Sequence, residues 1–175
     1  MKLFHRKPKR AEEKPHFRFY PGAYEDGGPL VASLETCGCC GEPCVWKYTG
    51  NVYAREKVTV CAGCIAADNL SNVFKDGYSL HDVELEQDVE DTLNDELFGR
   101  TPGVACFNPF EWPVADGAPM VFVGYGENLT KDPDAIAATK IAFTELGWHG
   151  DSRPSTYTLL FRPLNGGAMR AVIDL

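Results

Sequence analysis

The stretch ETCGCCGEPC, residues 35–44, places four of the seven cysteines of this 175-residue chain within eight positions. A second cluster, CAGC, follows at residues 61–64. The clusters supply two C-x-x-C pairs separated by a twenty-residue insert: Cys37 with Cys40, and Cys61 with Cys64. This spacing is typical of a four-thiolate zinc site, in which each pair turns two sulfurs toward one ion. The sequence therefore predicts one structural Zn²⁺ ion.

The ligand choice in the first cluster stays open, because Cys39 could replace Cys37 or Cys40 at the metal. Gly38 and Gly41 suit a tight turn around the sulfurs, since glycine tolerates positive φ angles. A four-coordinate site does not need the two remaining cysteines, Cys44 and Cys106. We expect them to be small buried apolar side chains.

Disulfide bonds are not expected for these thiols. The start of the chain, MKLFHRKPKR, lacks the apolar segment of a secretory signal, and no apolar run reaches the roughly 18 residues of a membrane span. We therefore expect a cytoplasmic location, where thiols stay reduced. The odd number of cysteines agrees with this expectation.

Catalysis by a cysteine or by the zinc ion would need a partner base, and the sequence offers no recognisable one. None of the four histidines lies in a nucleophile motif: His5, His16, His81 and His149. The H-x-E element of zinc deaminases is also missing before the second pair. We therefore predict a structural metal and no enzymatic activity.

The residues around the cysteines predict the local fold. Residues 45–60 read as two short strands around Thr49-Gly50-Asn51, and residues 65–75 have apolar spacing compatible with a helix. The N-terminus of this helix would favour the thiolate form of Cys64. A turn, a hairpin and a helix in this order predict a treble-clef or zinc-ribbon-like module over residues 19–80.

An acidic segment follows this module. Residues 82–96 contain eight acids and no basic residue, and Val83, Leu85, Val89, Leu93 and Leu97 could anchor the segment on the body. One interpretation is a solvated, partly helical connection over residues 81–100. The other is an acidic face that docks a basic protein.

The last part of the chain, residues 101–175, predicts a small mixed sheet with one long helix. Residues 119–126 form an apolar run typical of a buried strand. Asp132 and Pro133 are start signals for a helix over 133–146, which Gly147 ends. Two alternating strands flank Asn165-Gly166-Gly167, a strong hairpin signal. The fold class predicted for the whole chain is α+β.

Charge is divided unevenly along the chain. Residues 1–18 carry seven basic residues against two acids, whereas residues 19–175 carry ten against twenty-three. The first segment is a basic arm, which we expect to be flexible and which could touch nucleic acid or an anionic surface. The strongly acidic body argues against nucleic acid as a partner.

Several motifs together resemble the CbrC family of bacterial proteins. They are FRFYPGAYEDGG at 17–28, C-x-C-C-G at 37–41, YTGxxYAxE at 48–56, CxxCIA at 61–66, RTPG at 100–103 and F-x-G-Y-G at 122–126. The resemblance implies a cytoplasmic zinc-binding protein linked to tolerance of a DNA-cleaving colicin. It supplies no catalytic residues.

These observations lead to one functional hypothesis and two alternatives. We expect a non-catalytic, zinc-stabilised interaction protein, an immunity protein that neutralises a basic bacterial toxin through an acidic surface. A metal-dependent enzyme would need water in place of one cysteine at the metal. A nucleic-acid-binding zinc module would have to work through the basic arm.

Overall fold

The computed structural model describes residues 14–175 and has a mixed α+β fold built from small sheets. The described residues contain three α-helices, besides short 3₁₀ turns at Pro21–Tyr24, Leu70–Asn72 and Gly126–Asn128. Most of the predicted basic arm lies outside the described residues. Among residues 14–175, none of the helices has the length and apolar composition of a membrane span.

The region around the cysteines contains two strands and a short helix. Strand β1 (Leu30–Ala32) pairs antiparallel with β2 (Trp46–Tyr48), and helix α1 (Ala62–Ala66) begins directly after Cys61. The prediction of a hairpin within residues 45–60 is only partly met. β2 takes β1 as its strand partner, and the second arm reaches β2 through one bridge, Lys47 to Cys61. β1 pairs with one edge of β2, and the second arm lies along the opposite edge, where the N–H of Tyr48 donates to the carbonyl of Val60 at 2.9 Å.

The acidic segment forms regular structure. Strand β3 (Val83–Leu85) pairs in parallel with β4 (Phe110–Trp112), and helix α2 (Asp91–Arg100) lies between them in the chain. Leu97 is fully buried, and three further predicted anchors are partly buried against the main core: Val83, Leu85 and Leu93. The apolar positions of the segment therefore attach it to the body, as the sequence predicted.

A tight hairpin follows, in which β5 (Val114–Ala115) pairs with β6 (Ala118–Pro119). Its two turn residues, Asp116 and Gly117, both have positive φ angles, at 52° and 73°. Two consecutive positive φ angles define a type I′ turn, whose twist matches that of the flanking strands.

The remaining residues form a three-stranded antiparallel sheet and a helix. β8 (Thr158–Arg162) is the central strand, between β7 (Val121–Tyr125) and β9 (Arg170–Ile173). Helix α3 (Pro133–Glu145) packs on this sheet and is capped by Asp132, whose Oδ1 accepts hydrogen bonds from two backbone N–H groups. The predicted helix and the strand at 119–126 are confirmed within two residues, although only Phe122 of β7 is buried, and the terminal hairpin is confirmed.

One buried cluster joins the two halves of the chain. It contains Cys37 and Cys64 from the first half together with Trp112, Phe122 and Phe161 from the second. Trp112 is fully buried, and its ring centroid lies 5.1 Å from that of Phe161. The cysteine-rich region is thus packed on the same core as the sheet.

Candidate metal centre

The structure brings together the four cysteines of the two C-x-x-C pairs. The sulfurs of Cys37, Cys40, Cys61 and Cys64 all lie within 4.8 Å of one another. Two of the separations are 3.7 Å, between Cys37 and Cys64, and 3.9 Å, between Cys40 and Cys61. Sulfurs about 2.3 Å from a tetrahedral zinc ion lie about 3.8 Å apart, whereas a disulfide requires about 2.05 Å. The group therefore has the chemistry and size of a four-thiolate metal site, and all seven cysteines are free.

The first pair lies in a turn held by backbone hydrogen bonds. The N–H of Cys37 donates to the carbonyl of Glu42, and the N–H of Gly41 donates to the carbonyl of Cys37, each at 2.8 Å. Gly41 has a φ of +72°, a conformation that glycine adopts without strain. The turn thereby exposes Cys40 while Cys37 stays fully buried.

The second pair is positioned by the start of α1. Cys61 is the N-cap residue, and the N–H of Cys64 donates to its carbonyl at 3.0 Å. Cys64 is buried in the first turn of the helix, whereas Cys61 is partly exposed. Each pair thus contributes one buried sulfur and one sulfur near the surface.

Several contacts fix the two pairs relative to each other. The N–H of Gly38 donates to the carbonyl of Thr59 at 2.8 Å, which joins the first turn to the segment that leads to Cys61. Glu35 accepts hydrogen bonds from Lys47 at 2.6 Å and from Thr59 at 3.3 Å. These bonds connect the flank of the first pair, β2 and the flank of the second pair.

The ionisation of the four thiols is uneven. Burial opposes ionisation of Cys37, but hydrogen bonds from backbone N–H groups outweigh it and lower the pKa of this thiol to about 6. Burial, followed by the neighbouring Cys61, raises the pKa of Cys64, contrary to the expected helix effect. The five-residue α1 is too short for its dipole to offset burial. Ionising all four thiols requires a bound cation, which deprotonates coordinating thiols.

The other three cysteines lie outside this group of four. Burial, followed by repulsion from Cys37, raises the pKa of Cys39 to about 11. Burial likewise raises the pKa of Cys44 to about 12, and Cys44 is fully inaccessible. Cys106 is half-buried on the main core. The buried position predicted for Cys44 is confirmed, whereas Cys106 is only half-buried and meets the prediction in part.

One histidine has a role that the sequence did not reveal. His81 is buried against Phe98 and Trp112, and its Nε2 lies 3.0 Å from the carbonyl oxygen of Thr101. A carbonyl oxygen only accepts, so Nε2 carries the proton and Nδ1 is left with a lone pair. Burial lowers the pKa of His81 to about 4, so the ring is neutral at pH 7. Its polar neighbours Ser79, Asp82 and Glu84 concealed this burial in the sequence.

Among the described residues, no other histidine joins the four cysteines as a possible metal ligand. His16 and His149 are exposed, and the cluster of metal-ligating side chains found in the described residues contains cysteines alone. His5 lies outside the described residues. The candidate centre is therefore a site of sulfur ligands.

Known proteins resemble this chain along most of its length. A protein from Mycobacterium bovis, "UPF0167 protein Mb2317", is 28% identical over 80% of this chain and 76% of its own. "UPF0167 protein PA1536" from Pseudomonas aeruginosa is 34% identical over 57% of each chain. No solved structure matches the chain.

The family model corrects the resemblance drawn from the motifs. The model that matches is described as "Uncharacterised protein family (UPF0167)" and covers residues 14–174. The identification with the CbrC family is therefore wrong, and the colicin tolerance that it implied loses its basis. Because the match spans nearly the whole described chain, the protein belongs to the UPF0167 family.

Proposed function

We propose that this chain is a non-catalytic protein-interaction protein. One structural Zn²⁺ ion bound by Cys37, Cys40, Cys61 and Cys64 stabilises a treble-clef-like module over residues 19–80. An ordered acidic surface then docks a basic protein partner. We also propose a cytoplasmic location, because a thiolate zinc site requires the reduced thiols that this compartment maintains.

The sulfur geometry supports zinc in a structural role. Four thiolates complete a tetrahedral shell, whereas a catalytic zinc keeps one position for water or substrate. The sulfur separations of 3.7 and 3.9 Å match that closed shell. The turn at Cys37, the strand β2 and the helix that begins after Cys61 occur in the order of a treble clef. In a catalytic zinc site, water or substrate would have to displace one of the four sulfurs from the metal.

The acidic surface is the observation that carries the docking proposal. We define it as the carboxylates of residues 82–96 together with Glu111. Seven of the eight acids in the segment are exposed, and Val83, Leu85 and Leu93 between them pack against the core. Glu86 pairs with Arg170, and Glu96 pairs with Arg18 at 3.0 Å. The exposed carboxylates thus lie mostly on β3 and α2, and the apolar side chains of these two elements pack on the core.

A cleft within this surface concentrates negative charge. The cleft has a volume of about 330 Å³, and its walls include Asp82, Glu84 and Glu111. Glu84 and Glu111 are direct neighbours across the parallel pair β3–β4. Like charges placed side by side destabilise a sheet, and a cationic side chain between them would remove that repulsion. Pro109 and Phe110 add an apolar wall that could pack against the stem of a lysine or arginine.

A basic nuclease toxin is one protein whose positive charge would complement the acidic surface. With the CbrC resemblance withdrawn, the immunity hypothesis rests on charge complementarity alone. The broader proposal, a basic protein docked on the acidic surface, does not depend on it. The acidic body also disfavours the nucleic-acid alternative, because phosphate binding needs a positive field.

The test compares two charge reversals of equal size. Pull-down from the native host identifies the partner, and stopped-flow kinetics then measure its association with wild-type protein, with Glu84→Lys/Glu111→Lys, and with the control Glu56→Lys/Glu127→Lys. All four side chains are exposed, so each variant should fold. We expect the first variant to associate at least about ten-fold more slowly and the control to change little. An equal effect of both variants, or a rate independent of ionic strength, would contradict the proposal.

A further inference from the structure

We propose that a second cleft, separate from the acidic surface, binds one small uncharged heterocyclic ring of the nucleobase class. The cleft has a volume of about 240 Å³. It is formed by segments far apart in the chain: residues 27–29, residues 48–51, Tyr53, Leu80, residues 103–106 and Tyr125. Four of the motifs that stood out in the sequence meet here, namely the ends of FRFYPGAYEDGG and RTPG, the start of YTGxxYAxE, and the tyrosine of F-x-G-Y-G.

The walls of this cleft are fixed by hydrogen bonds. The Tyr48 hydroxyl donates to the carbonyl of Asn51 and accepts from the N–H of Gly103, both at 3.2 Å. The Tyr125 hydroxyl accepts from the N–H of Ala105 at 3.0 Å and donates to the carbonyl of the same residue at 3.1 Å. Two tyrosines thus hold the backbone of residues 103–105 in place. A wall fixed in advance lowers the entropic cost of binding a ligand.

Two glycines allow the backbone in the wall of this cleft to pack closely against its neighbours. A Cβ atom on Gly103 would lie 1.8 Å from the carbonyl oxygen of Leu80, so only glycine allows these two segments to touch. Gly50 is similarly close to the Tyr48 hydroxyl, at 2.4 Å from a Cβ position. Glycine at these two positions therefore brings backbone and tyrosine groups close together in the wall, and none of these groups carries a charge.

The lining carries no charged side chain among the described residues, although the chain has a net charge of −8. Burial raises the pKa of Tyr125 to about 12, so its phenol is neutral at pH 7. Burial, followed by the charges of Asp174 and Asp82, also raises the pKa of the Cys106 thiol. A ligand with a phosphate or carboxylate group would find no cation here, and the surrounding acids would repel it. The lining therefore selects an uncharged molecule.

The size and lining of the cleft favour a ligand with a single ring system. Pockets for drug-sized ligands span about 300–1,000 Å³, and this cleft lies below that range. Tyr53 is 45% exposed and offers an aromatic face on which a flat ring can stack. Asn51 is exposed beside it and has an amide that matches the hydrogen-bonding edge of a base. A sugar presents hydroxyls all round and would leave most of them without partners on this lining.

The test uses NMR amide shifts of the full-length protein, titrated with uracil, cytosine, adenine and hypoxanthine. Glucose and the matching nucleoside monophosphates serve as comparisons. We expect at least one base to give saturable shifts at residues 49–53 and 103–106. We expect the monophosphates to bind more weakly than the base.

Two exposed tyrosines provide a matched pair of variants. Tyr53→Ala should weaken binding of the base at least about ten-fold, because it removes the stacking surface. Tyr157→Ala, at a tyrosine 46% exposed outside the cleft, should bind as wild type does. The inference is overturned if no base shifts these amides at millimolar concentration, if glucose or a monophosphate binds more tightly, or if both variants behave alike. None of these outcomes depends on the acidic surface.

Discussion

Single residues of the metal centre divide into a buried pair and an accessible pair. Cys37 and Cys64 belong to the main core, whereas Cys40 and Cys61 lie toward solvent. A metal held by both pairs therefore connects the surface turn to the interior. Removing one of these sulfurs would affect both the proposed metal site and the packing around it.

The first prediction concerns Cys64→Ser. This variant should lose its zinc and unfold at least residues 35–75, because structural zinc contributes about 10–16 kcal/mol in small zinc modules, as much as a typical domain's whole stability. Metal analysis and thermal unfolding measure both effects. Cys106→Ser, which removes a thiol outside the group of four, should keep one zinc ion. An unchanged melting temperature in Cys64→Ser would contradict the structural role.

The second prediction concerns the pH dependence of stability at His81. Its pKa is lowered from 6.5 to about 4 by burial, so between these pH values the unfolded chain binds a proton that the folded chain does not. The free energy of unfolding should therefore fall as pH decreases through this range, by at most about 3 kcal/mol from this residue. Urea unfolding at several pH values measures the slope. His81→Gln should flatten the slope, and an identical slope would show that His81 does not titrate in this way.

At the scale of elements, the sequence predicts best where local signals act alone. Helix α3 was predicted within one residue because Asp132 and Pro133 mark its start by local chemistry. The hairpin of β8 and β9 was predicted because Asn165 and Gly166 favour a turn. The four cysteines were identified because their spacing is itself the signal.

Other elements depend on partners that are distant in the chain. β2 forms its strand pair with β1, which is distant in the chain, and the neighbouring second arm adds only a bridge and a hydrogen bond on the opposite edge. The parallel pairing of β3 with β4 spans α2 and has no turn signal to reveal it. The buried His81 and the cleft around Gly103 were missed for the same reason, since both are created by contacts between remote segments.

The third prediction tests the cap of α3. Asp132→Ala removes a carboxylate that accepts hydrogen bonds from Asp134 at 2.9 Å and Ala135 at 3.0 Å. The free energy of unfolding should fall by about 1 kcal/mol, as is typical for the loss of an N-cap. Chemical denaturation measures the change. Asp132→Asn keeps an accepting oxygen and should lose much less, and equal losses in the two variants would exclude the capping role.

At the scale of the whole molecule, the metal centre and the sheet share one core, but α3 has a core of its own. Ala135, Ala138 and Ala142 pack on β8 and β9 in a separate buried cluster. Stability conferred by the metal should therefore reach the helix only indirectly.

The fourth prediction follows from this arrangement. Chelation of the metal under reducing conditions should expose backbone amides of residues 30–66 to hydrogen exchange first, while α3 and β9 keep more of their protection. Hydrogen exchange with mass spectrometry resolves these segments. Uniform loss of protection along the chain would indicate that the metal stabilises the molecule only as one cooperative unit.

The proposed module depends on four cysteine sulfurs that bind one zinc ion in a closed shell. X-ray absorption at the zinc edge of the purified, reduced protein tests it most directly. We predict one zinc per chain with four sulfur neighbours at about 2.3 Å. Protein without zinc, or a spectrum in which an oxygen or nitrogen ligand replaces one sulfur, would contradict it.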